Sequence, residues 1–412
     1  MRRSVAGVET DWAGTHTYAA AVHRPASVSA LQELVRAAPV VRALGTRHTF
    51  NGLADFPGVL VDLTALPEVV EVRDDGTVQV SAGTTYGALA RHLHARGRAL
   101  HNLGSLPHIS VGGAAATGTH GSGDRAGALP SAVRELEVVG PDGELRRVTG
   151  DDVGAQTVAL GSVGVVTSLV LATEPTYQVR QDVYRGLAVA DLAGVFGVGD
   201  SVSAFTRWDG TADLWVKTRL PAEVPDQVGG APRDPVGRDR ITDEIVGNVT
   251  PQGGVPGPWH ERLPHFRHDA TPSNGDEIQS EFFVDRADAA AAIAAVAAVG
   301  DRIRDHLVVG ELRTVAADRL WLSMAYGRDS LALHFTWRKQ AGTLTGAVPL
   351  VAAALAPFGA RPHWGKAHPW VAADLERVVP RLADARELFG SLDPDGVFAS
   401  PQLAELGVRS TR

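Results

Sequence analysis

The sequence predicts a two-domain α+β protein, and three observations carry that reading. At 412 residues the chain is longer than one hydrophobic core usually serves. Its first third runs through short strand-like and helix-like pieces joined by hairpin turns, with no long parallel βαβ repeat. Composition then shifts after Thr176, and a helix, two strands and a further helix follow one another, the order of an α+β layer.

Each element has its own signal. Ser29-Ala-Leu-Gln32 has the form of a capping box, which predicts a helix to about Ala38 through Leu34 and Val35. Val40 to Leu44 reads as a strand and Gly45-Thr46-Arg47-His48-Thr49-Phe50-Asn51 as the loop after it. Val59 to Leu63 and Val69 to Val72 are strand-like, and Asp74-Asp75-Gly76 turns the chain into the alternating stretch Thr77 to Ser81. Tyr86 to Arg96 is a helix stopped by Gly97. A second hairpin joins Glu135–Val139 to Glu144–Val148 across Pro141-Asp-Gly143, and Val163 to Leu171 is an apolar strand opened by Gly161 and Gly164. Pro221 to Pro264, rich in Pro, Gly and Asp, is too long for an ordinary loop and reads as a lid or an irregular excursion. Gln279 to Val284 is strand-like, and Asp285 is expected to cap an alanine-rich helix reaching about His306. Strands at Val308–Val315 and Leu331–Trp337 follow, then a helix at Leu350–Leu355 behind Pro349. A last helix is expected from Pro380 to about Gly390, before the turn Asp393-Pro-Asp-Gly396.

Composition excludes several classes. The formal net charge is −8 with no basic block, which argues against a nucleic-acid partner. There is no cysteine, so disulfides and thiolate metal sites are ruled out. The opening residues MRRSVAGVETDWAG lack an apolar stretch, and nothing later approaches a membrane span. A cytoplasmic monomer is the resulting expectation. His260, His265 and His268 cluster in sequence without an HExxH pattern and read as loop histidines, so no metal is expected. The absence of G-x-S-x-G removes support for a hydrolase triad.

Ser105 to Gly123, SLPHISVGGAAATGTHGSG, is the most unusual stretch. From Gly112 on it is nearly all Gly, Ala, Ser and Thr, with little side chain to bury. Read as a loop, it offers backbone amides and the hydroxyls of Thr117, Thr119 and Ser122 to a pyrophosphate, as other anion-binding nests do. The plain alternative is a small-residue linker. Neither Walker A nor the dinucleotide fingerprint fits, so a dinucleotide bound here implies another fold.

A second group of residues comes from strand period. Glu311 and Arg313 share one face of Val308–Val315, while His334 and Thr336 share one face of the next strand. Taken alone, the first two read more simply as a neutralised pair on a solvated sheet face. Arg361-Pro-His-Trp-Gly-Lys366 changes the balance. It sets one of only three lysines in an aromatic, turn-like segment, where a desolvated amine can act as base or positive pole. The other two, Lys217 and Lys339, have no such assignment.

Taken together, these motifs and Pro256-Gly-Pro-Trp-His-Glu-Arg-Leu-Pro-His-Phe266 resemble the alditol oxidases, sugar-alcohol oxidases of the vanillyl-alcohol-oxidase type, over essentially the whole chain. The resemblance implies a PCMH-type FAD-binding domain at 1–178, a substrate cap at 179–360 and a tail, 361–412, returning to the active site. It implies FAD joined covalently to His48 by an 8α-methyl linkage. Where the family has GSGHSF, this chain has Thr46-Arg47 before His48. On the cofactor side it implies Gly45, Thr46, Arg47, His48, Thr49, Ser105, Ser110, Gly112, Gly113, Thr117, Gly118, Thr119, His120, Gly121, Gly164, Val166 and His363. On the substrate side it implies Ser105, Glu311, Arg313, Thr336 and Lys366, with Lys366 and Arg313 catalytic. The implied reaction oxidises a terminal alcohol of a polyol such as xylitol or sorbitol by hydride transfer to FAD, with O2 giving hydrogen peroxide. An aldonolactone oxidase or dehydrogenase shares the FAD motifs, and a non-catalytic flavin- or sugar-binding protein could share the fold.

Overall fold

A computed structural model describes residues 9–55, 58–237, 240–243, 245–270 and 275–410. Two sheets organise them. The first is antiparallel, in the order Val70–Val72, Val78–Ser81, Val165–Leu171, Val133–Val139, Leu145–Val148. Beside it, Ala21–His23, Val59–Val61 and Val41–Ala43 make a small parallel sheet, so the first third does hold short parallel pairing. The second sheet takes strands from residues 178 to 362 and is antiparallel throughout. Its centre runs Gln178–Ala188, Thr211–Arg219, Ser201–Thr206, Leu307–Val315, Ser330–Arg338, Glu277–Asp285 and Arg361–Pro362. Helices Ala289–Ala297 and Val348–Leu355 cover one face with a core that includes Leu312, Leu333 and Phe335.

Several elements differ from the expectation. The first helix, Val28–Ala37, is capped by Ser27, whose extended backbone lets its hydroxyl accept from the Ala30 amide; Ser29 lies inside the helix. Asp285 caps only a 3₁₀ turn, and the alanine-rich helix stops at Ala297, resuming briefly at Gly300–Ile303. Gly300 lies so close to Trp208 that a Cβ would fall 2.8 Å from its carbonyl oxygen. The excursion at 221–264 is partly ordered by the sheet: Ala231–Asp234 and Gly257–Pro258 both pair with Gln178–Ala188. The last third also holds two helices with no sequence signal above, Ala372–Val378 and Pro401–Glu405.

The larger correction concerns the small-residue stretch. Val111–Thr117 is a helix, started at Ser110 and ended by Gly118 in the left-handed region at φ 72°. Val111, Ala114 and Ala115 are buried in the core of the first sheet. Lack of side chain is what permits this, because the backbone comes very close to Ala82; a Cβ on Gly112 would lie 2.7 Å from that of Ala82. The amides of Val111, Gly112, Gly118, Thr119 and Gly123 donate to Thr84, Ala82, Ala115, Ala114 and Thr314 carbonyls, so they do not form a row of bare donors.

Chain ends and middle are tied together by Arg42. Its buried guanidinium donates to the carbonyls of Gly161, Phe398, Leu53 and Leu160 at 2.7–3.2 Å. Burial, then Arg409, lowers its pKa to about 10, which leaves it charged at neutral pH. Replacing it strands several buried acceptors, each costing roughly 1–3 kcal/mol. Arg42→Met should therefore lower the thermal midpoint by several degrees in differential scanning calorimetry, and Arg42→Lys should fall between it and the wild type.

Candidate active site

Register builds the site. Across the second sheet Glu311 lies opposite His334, and His334 opposite Glu281. Period two adds Arg313 and Thr336 to the same face, away from the helices. The face is closed by Ser105 from the first half of the chain and by Lys366 from the turn after Arg361–Pro362. That turn is held against the His48 loop. Phe50 N donates to Gly365 O at 2.8 Å, and Asn51 Nδ2 donates to Trp364 O and Lys366 O at 2.8 and 3.2 Å.

Glu281 is the hub. One carboxylate oxygen accepts from Arg313 Nη2 at 2.6 Å and lies 3.1 Å from His120 Nε2; the other accepts from Lys366 Nζ at 2.8 Å. Burial alone would raise its pKa, but Lys366, then Arg313, hold it well below the usual carboxylate range. Burial pushes Lys366 down, against the pull of Glu281. For Arg313, Glu311 and Glu281 outweigh burial and raise it, so it is a fixed cation.

Lys366 Nζ also lies 2.7 Å from His334 Nδ1, and His334 Nε2 lies 3.1 Å from Thr336 Oγ1. Burial, then Lys366, lowers His334 to about 4, so the ring is neutral. Lys366 donates to Nδ1, the ring proton therefore sits on Nε2, and Thr336 accepts from it. The Thr336 hydroxyl hydrogen is left to donate elsewhere. Lys366 keeps one valence beyond Glu281 and His334. As an ammonium it is a donor, as an amine a lone pair.

The opposite side is acidic. Arg313 Nη1 donates to Ser105 Oγ at 3.3 Å, and Glu311 Oε1 is buried with no hydrogen-bond partner among the described residues, 3.4 Å from Arg313 Nε. Burial would raise Glu311, but Arg313, then His265, hold it down to about 2. Ser105, Thr336 and Lys366 are half-buried, whereas Glu281, Glu311, Arg313 and His334 are buried. The half-buried three are those open to a substrate.

On the cofactor side, both ring nitrogens of His48 are buried with no hydrogen-bond partner among the described residues, and Trp12 stacks on the ring at 4.2 Å. Burial, then His108, lowers its pKa to about 4, against a smaller pull from the Thr46 backbone. Gly45 and Gly113 face each other, with a Gly45 Cβ only 3.6 Å from Gly113 Cα and 3.2 Å from Ser110 Oγ. Arg47 has φ 64°, the conformation a glycine there would take freely, and its guanidinium pairs outward with Glu9 at 2.9 Å and Asp62 at 3.3 Å. A neutral, unpaired imidazole beside a glycine-lined approach fits a flavin. Thr117 bonds back to Gly113 O at 3.0 Å and lies 3.5 Å from the Thr119 hydroxyl. His120 and Gly121 are joined at 2.8 Å, beneath Glu281. Gly164, at φ 128°, packs on Val139 where a Cβ would fall 2.4 Å from its carbonyl, and Val166 is half-buried on the strand that follows, Val165–Leu171. The His363 ring lies 6.3 Å from that of His120.

Sequence reasoning missed Glu281, whose one signal was an acid directly before the apolar run Phe282-Phe283-Val284. It also read His265 as a loop residue and left Lys217 without a role. Lys217 is buried, lowered to about 7 by burial, and donates to Leu263 O; His265 touches Ser105 at 2.6 Å. His260 and His268 turn elsewhere, onto His94 and His108.

Fold and site define a flavin-dependent oxidoreductase. Residues 19–149 match the FAD binding domain model, and 275–406 match the D-arabinono-1,4-lactone oxidase model. Similar solved structures include cholesterol oxidase from Brevibacterium sterolicum, at a TM-score of 0.78 and 16% identity, covering 97% of this chain and 96% of that one. The chain is 44% identical to alditol oxidase of a Streptomyces species, covering 96% of this chain and 98% of that protein. It is 28% identical to L-gulono-1,4-lactone dehydrogenase of Mycobacterium tuberculosis, covering 94% and 96%. The chain belongs to the alditol oxidase family of FAD-dependent oxidoreductases.

The buried hub sets a pH dependence of stability. Because the folded pKa of Glu281 is depressed, its contribution is complete above its ordinary value of 4.5 and is lost as pH falls below that. Glu281→Gln leaves two buried cations short of a partner, a loss of roughly 3–5 kcal/mol for a buried pair. Its thermal midpoint should lie well below that of the wild type at pH 7. The gap should narrow as both proteins are titrated from about pH 5 toward pH 3 in calorimetry.

Proposed function

We propose that the protein oxidises the terminal primary alcohol of alditols such as xylitol and sorbitol to the aldehyde, with O2 reduced to H2O2. The observation that carries this is the polar cluster of Ser105, Glu311, Arg313, Thr336 and Lys366, built for hydroxyl groups and backed by the Glu281 hub. A polyol offers neither charge nor an apolar face, so several hydrogen bonds have to orient it. Thr336 is set to donate and Glu311 Oε1 to accept. The family relationship supports the same class, since the Streptomyces relative is an alditol oxidase.

Bound FAD supplies the two-electron acceptor for the substrate's hydride and returns those electrons to O2. We propose His48 as its covalent attachment point, with Gly45 to Thr49, Ser110, Gly112 to Gly113 and Thr117 to Gly121 lining the rest of the cofactor. We propose a cofactor domain at 1–178, a cap at 179–360 and a returning tail at 361–412, a division supported by the second sheet's taking its strands from 178 to 362.

Lys366 rests as the ammonium paired with Glu281 and, once its free proton is lost, takes the hydroxyl proton on that valence as the neutral amine. Burial favours that form by lowering its pKa, and its other two N–H groups stay on Glu281 and His334. Arg313, permanently charged, stabilises the developing alkoxide in a low-dielectric site. A second reading, lactone oxidation, is favoured by the match of residues 275–406 to the arabinonolactone oxidase model.

A peroxide-coupled screen over alditols, aldonolactones and sugars tests the reading. Alditols should exceed lactones, and the reverse order would overturn it in favour of the second reading. In stopped-flow reduction by xylitol, Lys366→Ala should be slower by ~10² or more with flavin retained, the usual worth of a positioned acid–base group. Lys339→Ala, whose ammonium bridges the Ala13 and Gly275 carbonyls, should reduce at the wild-type rate. On a denaturing gel the wild-type band should fluoresce, and His48→Ala should release its flavin; a dark wild-type band refutes the covalent link.

A further inference from the structure

Behind Ser105 and Glu311 lies a second polar layer to which the reaction assigns no part. Its centre is His265. Nδ1 lies 2.6 Å from Ser105 Oγ, while Nε2 lies 3.1 Å from Ser203 Oγ and 3.5 Å from Glu311 Oε1. The ring stands between Phe205 and Trp215, with centroids at 5.5 and 5.4 Å. Its backbone is pinned from several sides. The amides of His265 and Phe266 both donate to Ser105 O at 3.1 Å, and Thr250 N donates to His265 O at 2.9 Å. Thr250 Oγ1 donates to Pro264 O at 2.7 Å, and the buried Lys217 ammonium donates to Leu263 O. A ring held this firmly has one orientation.

The proton position follows from its neighbours. Glu311 is ionised and faces Nε2, so the N–H of a neutral imidazole belongs on Nε2, and Nδ1 presents its lone pair to Ser105. The Ser105 hydroxyl hydrogen is thereby committed to His265. Arg313 Nη1 takes one Ser105 lone pair, and the other remains for an incoming group. We propose that His265 is a positioning residue for polyol recognition. It fixes Ser105 as a hydrogen-bond acceptor, opposite the donor Thr336, so that the site selects substrates carrying a hydroxyl beyond the reacting diol. This rests on the alditol reading and extends it to a cause of chain-length selectivity.

The ratio of kcat/KM for xylitol over 1,2-propanediol, which ends in a methyl group, measures that selectivity. His265→Phe keeps the aromatic packing and removes both nitrogens. It should lower the ratio by ~10-fold or more, because an unpaired hydroxyl site loses its preference. His265→Asn, whose amide oxygen can stand where Nδ1 stood, should restore most of the ratio; a structural role would give no such rescue. Ser105→Ala should lower the ratio alike, and adding His265→Asn to it should change little further. Equal losses on both substrates, an unchanged ratio in His265→Phe, or no rescue by Asn overturns the proposal. A wild type inert toward xylitol overturns the alditol reading and this one with it. A wild type that oxidises xylitol, with variants that keep the ratio, overturns this one alone.

Discussion

Glu281 sits one strand in from the end of the ten-stranded sheet with its carboxylate shut off from water, and it keeps its charge through Lys366, Arg313 and His120. Those groups come from the turn after the last strand, the strand two places away and the small-residue segment. One ion therefore fixes the relative placement of three distant parts of the chain. An isolated carboxylate there would be too costly to ionise. Two cations within 3 Å reverse that, so the hub is an all-or-none arrangement. Remove one member and the others are left buried and mismatched.

The same arrangement divides labour between the two cations. Arg313 bridges Glu281 and Ser105 and stays charged, which suits a fixed positive pole. Lys366 touches the same carboxylate but is only partly buried, and desolvation brings its pKa down. An amine in that setting can exchange a proton where a guanidinium cannot. The neutral His334 between Lys366 and Thr336 carries the polarity of the hub out to a hydroxyl. Directionality in this site is thus set by hydrogen-bond roles, each determined by the one before it.

Small residues do a different task from the one composition suggests. The Val111–Thr117 helix contributes closeness: glycine and alanine let it lie against Ala82 and bring Gly113 up to Gly45. Most of its amides are already satisfied by protein carbonyls, so its value to a cofactor lies in the narrow approach beside His48. Arg47 shows that a non-glycine residue can hold the left-handed turn before that histidine, at a cost of roughly 1 kcal/mol, when outward ion pairs anchor it.

By itself the sequence determined what depends on near neighbours and on residue type. The hairpins at Asp74–Gly76 and Pro141–Gly143, the Tyr86–His94 helix and the shared face of Glu311 and Arg313 followed from turn chemistry and period. Lys366 stood out because lysine is rare in this chain and its setting aromatic. Only tertiary structure could decide the rest. Glu281 drew no notice in its strand until register set it opposite His334 and Lys366 reached it across 85 residues. His265 read as a loop histidine until the excursion folded back onto Ser105, 160 residues away. The small-residue segment became a helix because Ala82 and the first sheet's core were there to pack against. Burial and ion pairing act through space, and neither range nor partner is written in the spacing of a single strand or loop.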